Sequence, residues 1–234
     1  MKILIACEES QRVCNAFRLK GHEAYSCDVQ PCSGNHPEWH ICGDVLPIIQ
    51  NDVKFVTMDG REHYVDKWDM LIAHPPCTYL SNAATRQYSL KRNTPEKVIS
   101  RWEERARASV FFMQFILAPI DKICVENPVG FMNSAYRKAD QIIHPYYFAK
   151  GIDDVENYHK KRTCLWLKGL EPLKYDKNIP EPEPMYICNG EKRKGKKIGW
   201  TEGMRNIKGG QVERAKERSK TFKAIAEAMA EQWG

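Results

Sequence analysis

The chain has 234 residues, of which 42% are hydrophobic and 28% charged, and it carries a formal net charge of +6. This length suits one folded unit with an ample core, and the composition excludes a fibrous or disordered class. No apolar run approaches the roughly 20 residues that span a bilayer, so no membrane partner is expected. Residues 1–6 are too short for a secretory signal, and nine cysteines without a paired spacing indicate reduced thiols. We therefore expect a cytoplasmic protein.

The positive charge is concentrated late in the chain. The stretch Glu-Lys-Arg-Lys-Gly-Lys-Lys occupies residues 191–197. Clustered lysine and arginine attract phosphates, which favours a nucleic-acid partner, although a solvated surface run has the same composition. Both interpretations stay open at this point.

The first 28 residues read as strand, helix and strand. An apolar run over residues 2–6 is followed by Val13, Phe17 and Leu19 near helical spacing, and a second short strand ends at Asp28. Such a βαβ start predicts a parallel, doubly wound sheet. In such sheets an acidic residue at the end of the second strand holds a ribose, so Asp28 and the turn over residues 7–10 are candidates for a nucleoside cofactor.

Residues 27–42 hold several cysteines and histidines, which raises the question of zinc. Between Cys27 and Cys42 lie Cys32, His36 and His40. Structural zinc usually takes two close ligand pairs, and this spacing is irregular. We therefore predict no metal.

The centre of the chain carries a cysteine just after a predicted strand. An apolar run through Ile72 stops at Pro75 and Pro76, because successive prolines cannot donate to a sheet, and Cys77 follows. A thiol at that edge of an α/β sheet suits a nucleophile, whereas a buried thiol would be inert. The remaining motifs must decide between these two roles.

A long helix and another strand follow. Thr94 and Pro95 predict a helix start, and the helix should extend to about residue 117. We expect its core face to consist of Val98, Trp102, Ala106, Val110, Met113 and Leu117. The strand over residues 123–125 ends at Glu126, which is either a general acid or substrate clamp, or a cap or surface carboxylate.

The last third contains a basic entry to a strand, a proline-rich stretch and an amphipathic terminal helix. Lys160, Lys161 and Arg162 precede the strand, and prolines recur over residues 172–184. Residues 221–233 place Phe222 and Trp233 on one apolar side of a helix. We divide the chain into residues 1–170, residues 171–217 as a small basic segment, and residues 218–234 as a helix that packs back.

Taken in order, these motifs resemble those of the DNA cytosine-5 methyltransferases. That family carries a nucleophilic Pro-Cys, a Glu-Asn and an Arg-x-Arg element, which match Pro76-Cys77, Glu126-Asn127 and the basic residues up to Arg162. The resemblance also includes residues 4–10, 25–28 and 43–45 of the amino-terminal half. It is closest to compact phage and prophage members, and it implies a Rossmann-like sheet of the type found in S-adenosylmethionine-dependent methyltransferases.

The resemblance implies a chemistry for each motif. Cys77 would add to carbon 6 of cytosine, so that carbon 5 can attack a methyl group of S-adenosyl-L-methionine. Glu126, with a raised pKa, would donate a proton near ring nitrogen 3 and read the exocyclic amine, and Asn127 completes its motif. Arg162 would stabilise charge on the ring carbonyl. No residue is assigned as the base that removes the carbon-5 proton.

The resemblance also implies cofactor and DNA contacts. The cofactor residues would be Ala6, Cys7, Glu9, Ser10, Asp28, Val29, Asp44, Val45 and Pro76. The target base must leave the duplex, and residues 78–92 would form a mobile lid over it. The DNA contacts would be Arg86, Lys91, Arg92, Lys160, Lys192, Arg193, Lys194, Lys196, Lys197 and Trp200.

Three alternatives remain. An amino-group methyltransferase has an Asp/Asn-Pro-Pro-aromatic motif, to which His74 and Cys77 fit poorly. A second is a DNA-binding homologue without turnover. The third retains Cys77 but uses another donor or acts on a free nucleotide.

Overall fold

The computed structural model describes residues 1–184, 186–187, 194–199 and 217–234. Its strands are β1 (Lys2–Ala6), β2 (Glu23–Asp28), β3 (His40–Cys42), β4 (Val53–Val56), β5 (Glu62–Val65), β6 (Met70–Ala73), β7 (Lys122–Pro128), β8 (Gln141–Ile143), β9 (Thr163–Lys168), β10 (Tyr186–Ile187) and β11 (Lys197–Ile198). Its α-helices are α1 (Arg12–Leu19), α2 (Pro95–Ile116), α3 (Met132–Ala135) and α4 (Lys223–Trp233).

Seven strands form one mostly parallel sheet. The order is β3-β2-β1-β6-β7-β9-β8, and β9 is antiparallel to both of its neighbours. The strand order changes direction between β1 and β6, which is the point where open α/β sheets bind ligands beyond the carboxyl ends of the strands. The expected α/β class and the βαβ start are confirmed, and the sheet is compatible with a Rossmann-like fold.

Helices cover both faces of this sheet. On one face, Leu71 and Val125 pack in a cluster with Phe112 and Phe115 of α2. On the other face, Ile72 packs in a cluster with residues of α1 and α4. Because both faces are covered, the central strand β6 is entirely buried, as a run of apolar residues in a parallel strand predicts.

The terminal helix lies against the first helix. Its buried residues include Ile225, Met229 and Trp233, which share a cluster with Phe17 of α1. The Trp233 indole nitrogen donates to the carbonyl oxygen of Glu171 at 2.9 Å. The expected apolar side of this helix is therefore the side that packs inward.

The long helix begins and ends where the sequence predicts, but its buried face is different. Thr94 is the N-cap and Leu117 the C-cap of α2. The buried residues are Val98, Arg105, Phe112 and Phe115. Of the expected stripe, Trp102, Ala106, Val110 and Leu117 are exposed, Met113 is half-buried, and only Val98 is buried. The prediction was wrong because α2 has apolar residues on more than one side, and packing on the sheet selected another side.

Candidate functional site

The loop after β1 takes an unusual backbone path. Cys7 has φ 59° and Gln11 has φ 55°, both in the left-handed region that favours glycine. The amide groups of Cys7 and Glu8 both donate to the carbonyl oxygen of Cys27, at 2.7 and 3.2 Å. Two residues other than glycine thus adopt glycine-like conformations in the loop after β1.

Two carboxylates approach this loop from neighbouring strand ends. Burial raises the pKa of the Cys7 thiol, and the negative charges of Asp28 and Asp44 raise it further. The Asp28 side chain accepts a hydrogen bond from the amide of Gln30 at 2.9 Å. Ala6 is fully buried beside them. Residues from three of the predicted cofactor segments therefore lie close together.

The other predicted cofactor residues differ in exposure. Glu9, Ser10 and Val45 are buried, whereas Asp44 and Pro76 are exposed. Val29 follows the tip of β2 and is 76% exposed. An exposed apolar side chain at a strand tip is suited to packing against a planar ligand.

Glu8 is a buried carboxyl group that the sequence prediction did not include. Its two oxygens accept hydrogen bonds from the amides of Val13 and Cys14, at 2.6 and 3.1 Å, and so cap the start of α1. Burial raises the pKa of Glu8 to about 7, although the charge of His74 acts in the opposite direction. Glu8 therefore links the first loop to the residue that follows β6.

Cys77 lies at the switch point, four residues after the end of β6 at Ala73. The residue is accessible to solvent. Protein atoms around the sulfur displace water and raise the pKa of the Cys77 thiol above its usual value, while the positive charges of Lys161 and Arg218 act against that rise. The negative charge of Glu126 also acts on this thiol. Charged side chains from separate segments of the chain therefore act on the Cys77 sulfur.

A buried contact at this edge joins the residue after β6 to β7. His74 Nδ1 lies 2.9 Å from Glu126 Oε2, and the two side chains are only 10% and 14% exposed. Burial alone would raise the pKa of Glu126, but the hydrogen bond and charge of His74, the charge of Lys161 and a hydrogen bond from Thr221 lower it overall. The expectation of a raised pKa for Glu126 is therefore wrong.

The cation that faces this cluster most directly is Lys161. Its pKa is lowered by burial, and the charges of Glu126 and Cys77 act against that change. Lys161 Nζ donates to the carbonyl oxygen of Arg218 at 3.1 Å. Arg162 is exposed, and its charge acts on His144 and Cys164. Adjacent residues entering a strand point to opposite sides, so Lys161 takes the position expected for Arg162.

Asn127 holds the diproline loop. Its side-chain amide donates to the carbonyl oxygen of Pro75 at 2.7 Å, and the residue is buried. Asn127 therefore fixes the backbone two residues before Cys77, which is a positioning role.

Residues after Cys77 are anchored on α2 by two arginines. Arg105 is buried, lies 3.5 Å from the ring centroid of Tyr88 and donates through Nε to the carbonyl oxygen of Tyr79 at 3.0 Å. Arg101 stacks on Tyr79 at 4.5 Å and donates to the carbonyl oxygen of Thr78 at 3.3 Å. The segment expected to form a lid contains the 3₁₀-helix Asn82–Tyr88.

The predicted DNA contacts fall into two groups. Arg86, Lys91, Arg92, Lys194, Lys196 and Lys197 are exposed, and exposed Lys160 forms an ion pair with Glu181. Lys192, Arg193 and Trp200 lie outside the described residues. Within the described ranges no group of three or more His, Cys, Asp or Glu side chains could hold a metal ion, and no helix there is long and apolar enough to cross a membrane.

Sequence comparison identifies no relative of the chain. No protein-family model matches the chain, and no curated protein is significantly similar to it in sequence.

Proposed function

We propose that this chain is a DNA cytosine-5 methyltransferase that methylates a flipped cytosine through a covalent adduct on Cys77. The observation that carries the proposal is the meeting of Cys77, Glu126 and Lys161 at one edge of the sheet. These groups are a nucleophile, a hydrogen-bond acceptor and a cation, and they come from three different chain segments. Addition to a pyrimidine ring requires these three functions together.

The three groups divide the tasks of this reaction among them. The Cys77 sulfur forms a bond to carbon 6 of cytosine. The Glu126 carboxylate accepts a hydrogen bond from the exocyclic amine, which distinguishes cytosine from a base with a carbonyl there. Lys161, rather than Arg162, stabilises the developing charge and favours the Cys77 thiolate.

The amino-terminal loops fit a nucleoside donor. Asp28 and Asp44 lie near Cys7 at the tips of neighbouring segments, and a carboxylate at the end of β2 is placed to accept hydrogen bonds from ribose hydroxyls. Exposed Val29 offers an apolar contact for an adenine ring. Bound S-adenosyl-L-methionine would supply the methyl group.

DNA as the substrate is supported by charge. The chain carries 36 lysines and arginines against 30 acidic residues. Exposed Arg86, Lys91 and Arg92 follow Cys77 in sequence, where they would contact phosphates around an extruded base. The cytosine must leave the duplex because its ring carbons are inaccessible inside the stack.

The test is covalent trapping. Duplex DNA of mixed sequence containing 5-fluorocytosine is incubated with the protein and S-adenosyl-L-methionine, and adducts are detected by denaturing electrophoresis and peptide mass analysis. Wild-type protein should form an adduct at Cys77, and Cys77→Ser should form none. Cys42→Ser is the matched control, because Cys42 is also exposed but lies at the end of β3.

Two other outcomes have distinct meanings. DNA binding without an adduct would overturn the proposal in favour of a homologue without turnover, which the raised pKa of the Cys77 thiol also favours. Mass analysis of unsubstituted DNA from cells expressing the protein identifies the transferred group. A cytosine heavier by something other than a methyl group would contradict S-adenosyl-L-methionine as the donor.

A further inference from the structure

His74 is a buried histidine that the proposed mechanism does not use. It directly follows β6, and its amide donates to the carbonyl oxygen of Ala6 at 2.9 Å, which fixes its backbone against β1. Its ring nitrogen Nδ1 lies 2.9 Å from Glu126 Oε2. The residue that would read the cytosine amine therefore has an imidazole as a hydrogen-bond partner.

The surroundings of the imidazole are charged on several sides. Glu126 faces it from β7, Glu8 from the loop after β1, and Lys161 from the segment before β9. The other ring nitrogen, Nε2, is buried and has no hydrogen-bond partner among the described residues. Burial lowers the pKa of His74, but the bond and charge of Glu126 and the charge of Glu8 raise it overall.

We propose that His74 is a positioning residue that shares one proton with Glu126 and supplies it, through the carboxyl group, to ring nitrogen 3 of the bound cytosine. This inference rests on the proposed function. A lone carboxylate could accept from the exocyclic amine but would have no proton to give. The buried pair contains both an acceptor and a proton in one hydrogen bond.

The proton and electron count closes over a turnover. When the Cys77 thiolate bonds to carbon 6, the ring double bond opens and nitrogen 3 takes the proton of the pair, leaving the Glu126 carboxylate beside neutral His74. Carbon 5 would then take the methyl group of S-adenosyl-L-methionine, whose sulfur keeps the electron pair of the broken sulfur–methyl bond and leaves as S-adenosyl-L-homocysteine. Loss of the carbon-5 proton to a base breaks the sulfur–carbon bond, and nitrogen 3 returns its proton to the pair.

This pairing predicts how the rate depends on pH. A histidine with a raised pKa keeps its proton to higher pH than a free imidazole does. The His74–Glu126 pair therefore still holds the shared proton in neutral solution. The rate of adduct formation should fall on the alkaline side as the pair loses that proton. Without the imidazole the proton would have to remain on Glu126 alone, and the fall should occur at lower pH.

The test compares His74→Asn with wild-type protein. Asparagine can still donate a hydrogen bond to Glu126 but cannot exchange a proton. We expect single-turnover adduct formation on 5-fluorocytosine DNA to slow by about 10- to 100-fold. The alkaline fall should move down by about one pH unit or more. His144→Asn is the matched control, because it also replaces a buried imidazole but one that lies before the 3₁₀-helix Pro145–Phe148.

The outcomes separate the two proposals. If wild-type protein forms no adduct at any pH, the proposed function fails. If wild-type protein reacts and His74→Asn retains both the rate and the pH profile, His74 has only a structural role and the inference is overturned. Should His74→Asn not fold, the wild-type profile still decides, because a fall below the ordinary histidine pKa of 6.5 contradicts a raised value.

Discussion

Gly130 lies against the backbone of Leu80 so closely that a β-carbon on it would stand 2.1 Å from the Leu80 carbonyl oxygen. That oxygen accepts a hydrogen bond from the amide of Phe131 at 2.7 Å, and Ser81 forms a β-bridge with Gly130. The amides of Leu80 and Ser81 in turn donate to the carbonyl oxygen of Cys77. The loop that carries Cys77 is therefore fastened to the chain just beyond β7.

Gly130→Ala should disrupt this attachment. Because the nearest atoms belong to the backbone of Leu80, the loop must shift, and we expect a loss of about 1–3 kcal/mol in the free energy of unfolding. Urea unfolding measures this, and adduct formation at Cys77 should slow as well. Gly199→Ala is the stability control, since no atom of the described residues lies within 4 Å of a β-carbon there. Equal unfolding midpoints for the two variants would show that the loop accommodates the added β-carbon without loss of stability.

Lys161→Met and Arg162→Met should have different effects on Cys77. The charge of Lys161 opposes the rise in the Cys77 pKa, so its removal should raise that pKa further and move iodoacetamide alkylation to higher pH. Arg162→Met should leave the alkylation profile close to that of wild type. Mass spectrometry of the Cys77 peptide across a pH series measures both. A larger shift of the alkylation profile in Arg162→Met would mean that Arg162, not Lys161, is the cation that acts on Cys77.

Arg105→Ala should destabilise the protein, because Arg105 is a buried residue of α2 and not a surface arginine. It removes a stack on Tyr88 and one of the two donors to the Tyr79 carbonyl oxygen, which keeps only the Tyr88 hydroxyl. The expected loss is about 1–3 kcal/mol. Arg107→Ala is the control from the same helix, because Arg107 is largely exposed and its ion pair is with Glu104, one turn away on α2. Its effect should stay within about 0.5 kcal/mol. Comparable losses in both variants would indicate a change in helix α2 as a whole.

Glu8→Gln should alter how stability depends on pH. Burial raises the folded-state pKa of Glu8 to about 7, so the folded protein binds this proton more tightly than the unfolded chain does. The associated stability is fully present below the unfolded value and is lost as pH rises through the folded value. From about pH 5 to about pH 8 this loss should amount to about 2 kcal/mol. Urea unfolding of Glu8→Gln should show a shallower decline over that range, and parallel curves would contradict the assignment.

Local signals were sufficient for much of the fold. Thr94 and Pro95 located the start of α2, and the diproline located the end of β6. The sequence also placed Cys77 and Glu126 at the carboxyl ends of neighbouring strands, which in a parallel sheet means the same edge. The predicted end of the second strand at Glu126 was too early, because β7 pairs with β9 as far as Pro128. These inferences needed only propensities and the handedness of a βαβ unit.

Other features depend on tertiary packing. Which of Lys161 and Arg162 faces the cluster is set by the pairing of Thr163 with Pro128, and neither strand reveals that register by itself. The lowered pKa of Glu126 needs a partner 52 positions earlier in the chain. The signal that could have identified His74 was a histidine placed directly between a buried strand and two prolines.

Residues 218–221 contact the cluster around Cys77, so this cluster is complete only once that segment has been synthesised and packed. Arg12 donates to the Thr221 carbonyl oxygen at 2.9 Å, and Lys161 donates to that of Arg218. Thr221 also hydrogen-bonds Glu126. Because synthesis proceeds from the amino terminus, Cys77 and Glu126 leave the ribosome before residues 218–221 do. A nascent chain that has not yet reached residue 218 would therefore hold Cys77 and Glu126 without these contacts.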